Sequence, residues 1–376
     1  MKSILHLMTQ EKITLNTIET FKQLDIINIF LVNKNNKINQ FDTDIIFESS
    51  DFDINKFVQQ NSIDGIIIHG LSSYYAKLIY NLKATIKVVW VVWGYDMYQR
   101  PQVRNLLYAN ETKRIINKKL QLKSSIKNSP IIGKLYYSIT KQIDSEFYYK
   151  EVFKKIDYFA SYIYEDFLFF DKYFKHNTSF LYFSSNTLNQ YLGGNEDLRV
   201  NENAKNILIG NSNSIENNHL DVFKTISEIA IVNSYKLIVP LSYGIDNQYK
   251  ERIINVGMKL FEDNFIPLLK FMPRDKYLEL ISNCSTAIFY HYRQQAMGNI
   301  IALLYMGARI YLSKNNPVYS FCKRIGLHVF DFDSEFKVYR NTKLEEDKAE
   351  ENREILFEIF NDKAVTNRMN EVINVF

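Results

Sequence analysis

Short apolar runs alternate with longer amphipathic segments along the whole chain. In the first half the runs cover 3–8, 27–32, 44–47, 65–69, 87–92, 158–161 and 180–183. Two of them, Ile66-Ile67-Ile68 and Val88-Val89-Trp90-Val91-Val92, are apolar at every position. That pattern predicts strands buried on both faces, as in a parallel sheet covered by helices. Helical periodicity fills the gaps at 15–24, 72–82 and 164–174. The second half repeats the scheme, with strands expected at 206–210, 236–240, 267–271, 287–291, 309–312 and 328–330. Helices are expected between them at 216–231, 247–261, 275–283, 299–306 and 318–325.

Strand–helix alternation running twice predicts two doubly wound α/β domains. The polar stretch 192–205, opened by Gly193-Gly194, reads as the linker between a domain at 1–191 and one at 206–345. A helical tail, charged at its start, would complete the chain at 346–376. Two such Rossmann-like domains facing each other across a cleft make the GT-B architecture, with ligands at the carboxyl ends of the strands. Some epimerases and binding proteins share it, so the fold alone selects no function.

Composition agrees with two globular domains: 376 residues, 46% hydrophobic and 23% charged. The net charge of +4 does not call for a nucleic-acid partner, and no nucleic-acid-binding motif accompanies the basic residues. Cys284 and Cys322 form neither a metal-ligand nor a redox pattern, which points to a reducing cytosol. No leader-like segment and no apolar window of about 18 residues is visible, so a soluble or membrane-peripheral protein is expected.

Four stretches carry candidate chemistry. In 287–299 an apolar strand runs into Arg293-Gln294-Gln295-Ala296-Met297-Gly298-Asn299 before the next helix. A helix N-terminus there would offer unpaired N–H groups to a diphosphate, with Arg293 adding a charge-assisted contact and Gly298 allowing close approach. A solvated turn is the alternative. In 206–214 a strand ends in Gly210-Asn211-Ser212, small residues that let a nucleotide approach the backbone at a first βα turn, although many α/β proteins have such a turn without a ligand.

In Trp93-Gly94-Tyr95-Asp96 the carboxylate at a strand end suits a general base, or simply caps the next helix. His69 is a similar rival, more often structural than catalytic. Between 99 and 141 a cationic amphipathic insertion contains Arg100, Arg104, Lys113, Arg114, Lys118 and Lys119 among interleaved apolar residues. It suits an anionic membrane surface, or a solvated helix face. Asp-x-Asp occurs three times, at 42–44, 51–53 and 331–333, which suggests chance rather than a metal site.

The combination of Trp93-Gly94-Tyr95-Asp96-Met97-Tyr98, Ile207-Leu208-Ile209-Gly210-Asn211-Ser212, Val239-Pro240-Leu241-Ser242-Tyr243-Gly244, Arg293-Gln294-Gln295-Ala296-Met297-Gly298 and Asn315-Asn316-Pro317 resembles a known family. It is the bacterial TDP-4-acetamido-4,6-dideoxygalactose (Fuc4NAc) transferases, glycosyltransferase family 56. The resemblance covers roughly residues 65 to 320, in the family's order. It implies a metal-independent GT-B transferase that takes a deoxy-amino sugar from a TDP donor, with no cofactor beyond that donor. The implied acceptor is a polyprenyl-diphosphate-linked saccharide, held by the first domain at the cytoplasmic face of the inner membrane, while the second domain holds the nucleotide. Tyr243, Asn315 and Asn316 would then line the nucleotide or sugar pocket, and Asp96 would be the base, with His69 in reserve.

Overall fold

The computed structural model describes residues 1–9, 14–33, 45–47, 52–116, 145–229, 235–244, 246–339 and 342–376. The chain divides into two compact units. The first comprises Met1–Val103, Lys118–Asn186 and Lys363–Phe376; the second comprises Arg104–Asn117 and Thr187–Asp362.

The first unit is built on seven parallel strands: β1 (Ser3–Thr9), β2 (Ile27–Asn33), β3 (Ile45–Phe47), β4 (Gly65–His69), β5 (Lys87–Val91), β6 (Tyr158–Ser161) and β7 (Ser179–Tyr182). Their order is β3-β2-β1-β4-β5-β6-β7, so the winding reverses between β1 and β4. Continuous burial along β1, β4 and most of β5 matches the all-apolar runs. Helices begin where their caps allow. Asp53 accepts from Asn55 N and Lys56 N at the start of Ile54–Gln60, and Ser72 accepts from Tyr75 N at the start of Ser73–Asn81.

The second unit has six parallel strands: β8 (Asn206–Ile209), β9 (Leu237–Pro240), β10 (Phe265–Leu268), β11 (Cys284–Phe289), β12 (Arg309–Leu312) and β13 (Val329–Asp331), in the order β10-β9-β8-β11-β12-β13. Here the winding reverses between β8 and β11. The carboxyl ends of those two strands therefore flank the crevice where doubly wound sheets bind ligands.

Two parts of the expected division fall differently. Residues 104–116, expected within the basic insertion (99–141) of the first domain, belong to the second unit. The helix Asn110–Ile115 lies against that unit's core, where Ala109 is buried with Ile115 packed beside it. Its first turn is held by Asp221, whose carboxylate accepts from Glu111 N (2.7 Å), Thr112 N (3.0 Å) and Thr112 Oγ1 (2.7 Å). The tail also divides. The helix Glu346–Phe360 stays with the second unit, whereas Asp362–Asn374 returns to the first and buries Val365, Met369, Val372 and Ile373 in its core. Gly65 is required by this return, because a Cβ there would stand 1.9 Å from the Phe376 ring.

Candidate active site

In the second unit the Gly210 turn leaves β8 with a left-handed backbone, φ +66°. A Cβ at Gly210 would also lie 2.5 Å from Asn217 Oδ1 and 2.7 Å from His219 Nε2, so glycine is needed twice over. Asn217 organises the turn. Its Oδ1 accepts from Asn211 N (3.0 Å) and from His291 Nε2 (2.8 Å), while its Nδ2 donates to Ser212 Oγ (3.2 Å) and Ser214 O (3.0 Å). One amide thus ties the exit of β8 to the exit of β11. Gln295 strengthens the link by donating from Nε2 to Asn211 Oδ1 at 2.9 Å. Gly210, Asn211, Ser212 and Gln295, predicted from separate motifs, stand together.

Arg293 is 92% enclosed and donates from Nη1 to Gln294 O at 3.0 Å. The helix after this loop starts at Met297, not Asn299, with Ala296 in the left-handed region at φ +62°. Gly298 therefore sits in the first helical turn, where a Cβ would meet no atom nearer than 3.9 Å. Asn299 turns aside and donates to Tyr277 Oη at 3.0 Å. Asn316 caps the helix Pro317–Arg324 through Val318 N (3.0 Å), and Asn315 hydrogen-bonds Tyr292. Tyr243 is half-exposed and its carbonyl accepts from Asn213 N. Asp331 is held by Lys314 and Ser334, and Asp333 accepts from Tyr290 Oη at 2.8 Å.

Five buried polar atoms around these strand exits have no protein partner: Asn213 Oδ1, His219 Nε2, His291 Nδ1, Arg293 Nε and Gln295 Oε1. The His291 case follows from its tautomer. Asn217 Oδ1 can only accept, so His291 Nε2 carries the proton and Nδ1 is a bare acceptor. Each such atom costs about 1–3 kcal/mol when left unpaired, so these strand exits gather polar groups that still have hydrogen bonds to make with water or a ligand.

In the first unit Asp96 is fully enclosed. Its Oδ2 accepts from Trp90 Nε1 (2.7 Å), Leu71 N (3.0 Å) and Trp93 N (3.4 Å), bracing the exits of β4 and β5, while Oδ1 has no partner. Burial pushes its carboxyl up, against the pull of those three donors. His69 is reached by another tautomer chain. Asn28 Nδ2 donates to Phe21 O, so its Oδ1 accepts from His6 Nε2 (2.9 Å), and His6 Nδ1 then accepts from His69 Nε2 (3.0 Å). That leaves His69 Nδ1 unprotonated and without a partner. Burial holds both rings neutral, His6 down to about 3 and His69 well below the usual imidazole value.

The basic residues do not act as one group. Arg100 is enclosed, stacked 3.7 Å over Tyr149 and paired with Glu146 at 2.7 Å. Arg104 Nε donates to Tyr108 Oη at 3.0 Å. Lys113 and Arg114 are exposed, the latter paired with Glu111. Lys118 and Lys119 lie outside the described residues, as do the Asp-x-Asp at 42–44 and Asp51 of the second. Sequence reasoning left out Asn217 and Asn218 as site organisers; the run of Asn at 211, 213, 217 and 218 was the available signal.

Residues 152–364, more than half of the chain, match the model of the family described as 4-alpha-L-fucosyltransferase, glycosyl transferase group 56. The chain belongs to this family. It is a glycosyltransferase, and solved structures of remote sequence share its GT-B fold. Sucrose-phosphate synthase from Thermosynechococcus elongatus is 8% identical, with 100% of this chain and 99% of that one covered at a TM-score of 0.63. The Anabaena protein HepE, solved with UDP and glucose, is 12% identical over 100% of both chains at 0.62. A UDP-forming trehalose-phosphate synthase from Burkholderia xenovorans is 7% identical, covering 100% and 98% at 0.61. Within the transferase, then, the reversal between β8 and β11 falls inside the segment that defines the family.

Proposed function

We propose that the transferase moves a deoxy-amino sugar of the Fuc4NAc kind from a TDP-linked donor to a polyprenyl-diphosphate-linked saccharide, in surface glycan synthesis. The cluster of unpartnered buried atoms at the β8 and β11 exits carries the donor half of this reading. A nucleoside diphosphate supplies what they lack: phosphate oxygens for Arg293 Nε and the N–H groups of the first turn of Met297–Met306, and ring or sugar donors for Gln295 Oε1 and Asn213 Oδ1. Donors fixed in advance stabilise the charge that grows on the leaving diphosphate. The donor sugar needs no cofactor or metal in this scheme.

The acceptor is assigned to the first unit, with Asp96 as general base if the anomeric centre inverts. Its free Oδ1 and raised pKa suit a proton acceptor, and Trp90 and the 71 and 93 amides hold it in place. The exposed Lys113 and Arg114 would face an anionic, cytoplasmic membrane surface. Among the described residues no helix is long and apolar enough to cross a membrane.

Melting curves with TDP, UDP, GDP, CMP and ADP test the donor class. Ligand at about 100 times its dissociation constant raises stability by roughly 2.7 kcal/mol. A shift with TDP, shared at most with UDP, is expected; preference for GDP or CMP refutes the TDP assignment. Asp96→Asn that folds normally and transfers sugar at full rate refutes the base assignment. Sedimentation with anionic liposomes that does not weaken as salt rises refutes the membrane role.

A further inference from the structure

Residues 104–116 form a strap seated on the second unit. Asn218 fixes it. This residue takes a left-handed conformation, φ +53°, between the short 3-10 turn Ile215–Asn217 and the helix His219–Ser227. Its Oδ1 accepts from Ala109 N at 2.9 Å. Its Nδ2 points at three carbonyls, Leu107 O at 3.1 Å, Tyr290 O at 3.0 Å and Glu216 O at 3.2 Å. Tyr290 is the first residue after β11 and lies three positions before Arg293. A single enclosed amide therefore clips the strap to the strand exit that leads into the phosphate loop.

The strap brings charge with it. Arg104 is exposed, and its Nε is held by the Tyr108 phenol at 3.0 Å. Both are within electrostatic range of Glu216, and Tyr108 is within range of Arg293. Glu216 itself is engaged by Ser214 Oγ. Arg104 thus sits with Glu216 around Tyr108, a phenol that is also in range of Arg293, whose own Nε no protein atom satisfies.

We infer that Arg104 is the second guanidinium of the donor diphosphate site, delivered to the second unit by the Asn218-clipped strap. Arg293 and Arg104 would divide the two phosphates. A planar guanidinium suits this task because two of its N–H groups can meet two oxygens of one phosphate, and because it stays charged at every physiological pH. Tyr108 positions the arginine without touching the ligand, and Glu216 balances the charge before the diphosphate arrives. The inference rests on the donor reading above and adds to it a residue from the segment that sequence reasoning gave to the membrane.

Isothermal titration with TDP and TMP separates the possibilities. Arg104→Gln should weaken TDP at least tenfold and leave TMP within threefold, because only the second phosphate loses its partner. Arg104→Lys, which keeps the charge and a donor, should fall between and guards against a folding failure of the first variant. Tyr108→Phe should weaken TDP by a smaller factor than Arg104→Gln. Unchanged TDP affinity in Arg104→Gln overturns the inference while the donor reading stands, and so does an equal loss of TDP and TMP. If the unaltered protein binds neither nucleotide, the donor reading fails and this inference with it.

Discussion

Four of the six histidines, His6, His69, His219 and His291, are completely buried, and they are divided two to each unit. Desolvation dominates at all four. It lowers His6 and His219 to about 3 and leaves His69 and His291 well below the ordinary value. In the unfolded chain each returns to about 6.5, so the unfolded state binds more protons and stability must rise with pH. The contribution is complete above about 6.5 and is lost as pH falls towards the folded value. Between pH 7.5 and 5.5 one such histidine removes about 1.4 kcal/mol, so each unit loses about 3 kcal/mol and the chain about 5–6. That is a large part of the stability of an ordinary domain. Asp96 works the other way, since its raised pKa lets the native state take up a proton as pH falls. The carboxylates whose pKa is lowered, Glu111, Asp331 and Glu345, titrate below this window. Urea denaturation at pH 7.5, 6.5 and 5.5 reads the slope directly. His6→Gln keeps a donor for Asn28 and should remove one histidine's share, about 1.4 kcal/mol across the window, whatever it does to stability at pH 7.5. A flat profile, or a slope unchanged in that variant, refutes the claim that these rings are held neutral by burial.

Two other substitutions probe separate parts of the fold. Gly210→Ala must place a side chain at φ +66° and push Asn217 and His219 aside, so a loss of about 2–4 kcal/mol is expected together with loss of nucleotide binding; an unshifted melting curve refutes the packing argument. Met369→Ala empties a fully buried position in the returning tail and should cost the first unit about 2–4 kcal/mol, with TDP affinity at the second unit unchanged. Equal weakening of TDP binding in that variant would show that the tail supports both units.

Much of the frame was legible because a strand buried on both faces leaves a plain signature. Gly65–His69, Tyr158–Ser161 and Arg309–Leu312 fall where the apolar runs placed them. Where the signature spreads past the sheet, the reading slipped. The run at 267–271 continues beyond the strand, and β10 covers Phe265–Leu268, with Leu269 and Phe271 exposed beyond it. The expected helix at 216–231 instead begins at His219, because Asn218 leaves helical geometry to hold a strap more than a hundred positions earlier in the chain. Amphipathic spacing at 104–116 suited a lipid surface or a solvated helix face and gave no sign of which unit its apolar side packs on; the long-range partners Asn218 and Asp221 seat it on the second. At the site, the turn 210–212 and Gln295 could be named from their motifs. Their joint anchor, Asn217, could not, because an asparagine's partners depend on which strand ends the topology makes neighbours.

The return of the last helix has a consequence for how the protein is made. A ribosome completes the second unit when residue 362 emerges, since its remaining piece, 104–117, has long been available. The first unit, although it starts at Met1, still lacks Val365, Met369, Val372 and Ile373 at that moment. Domains ordinarily mature in the order of synthesis. Here that order is inverted: the sheet of the first unit keeps an apolar face uncovered until residues 363–376 arrive, after the second unit has all its parts.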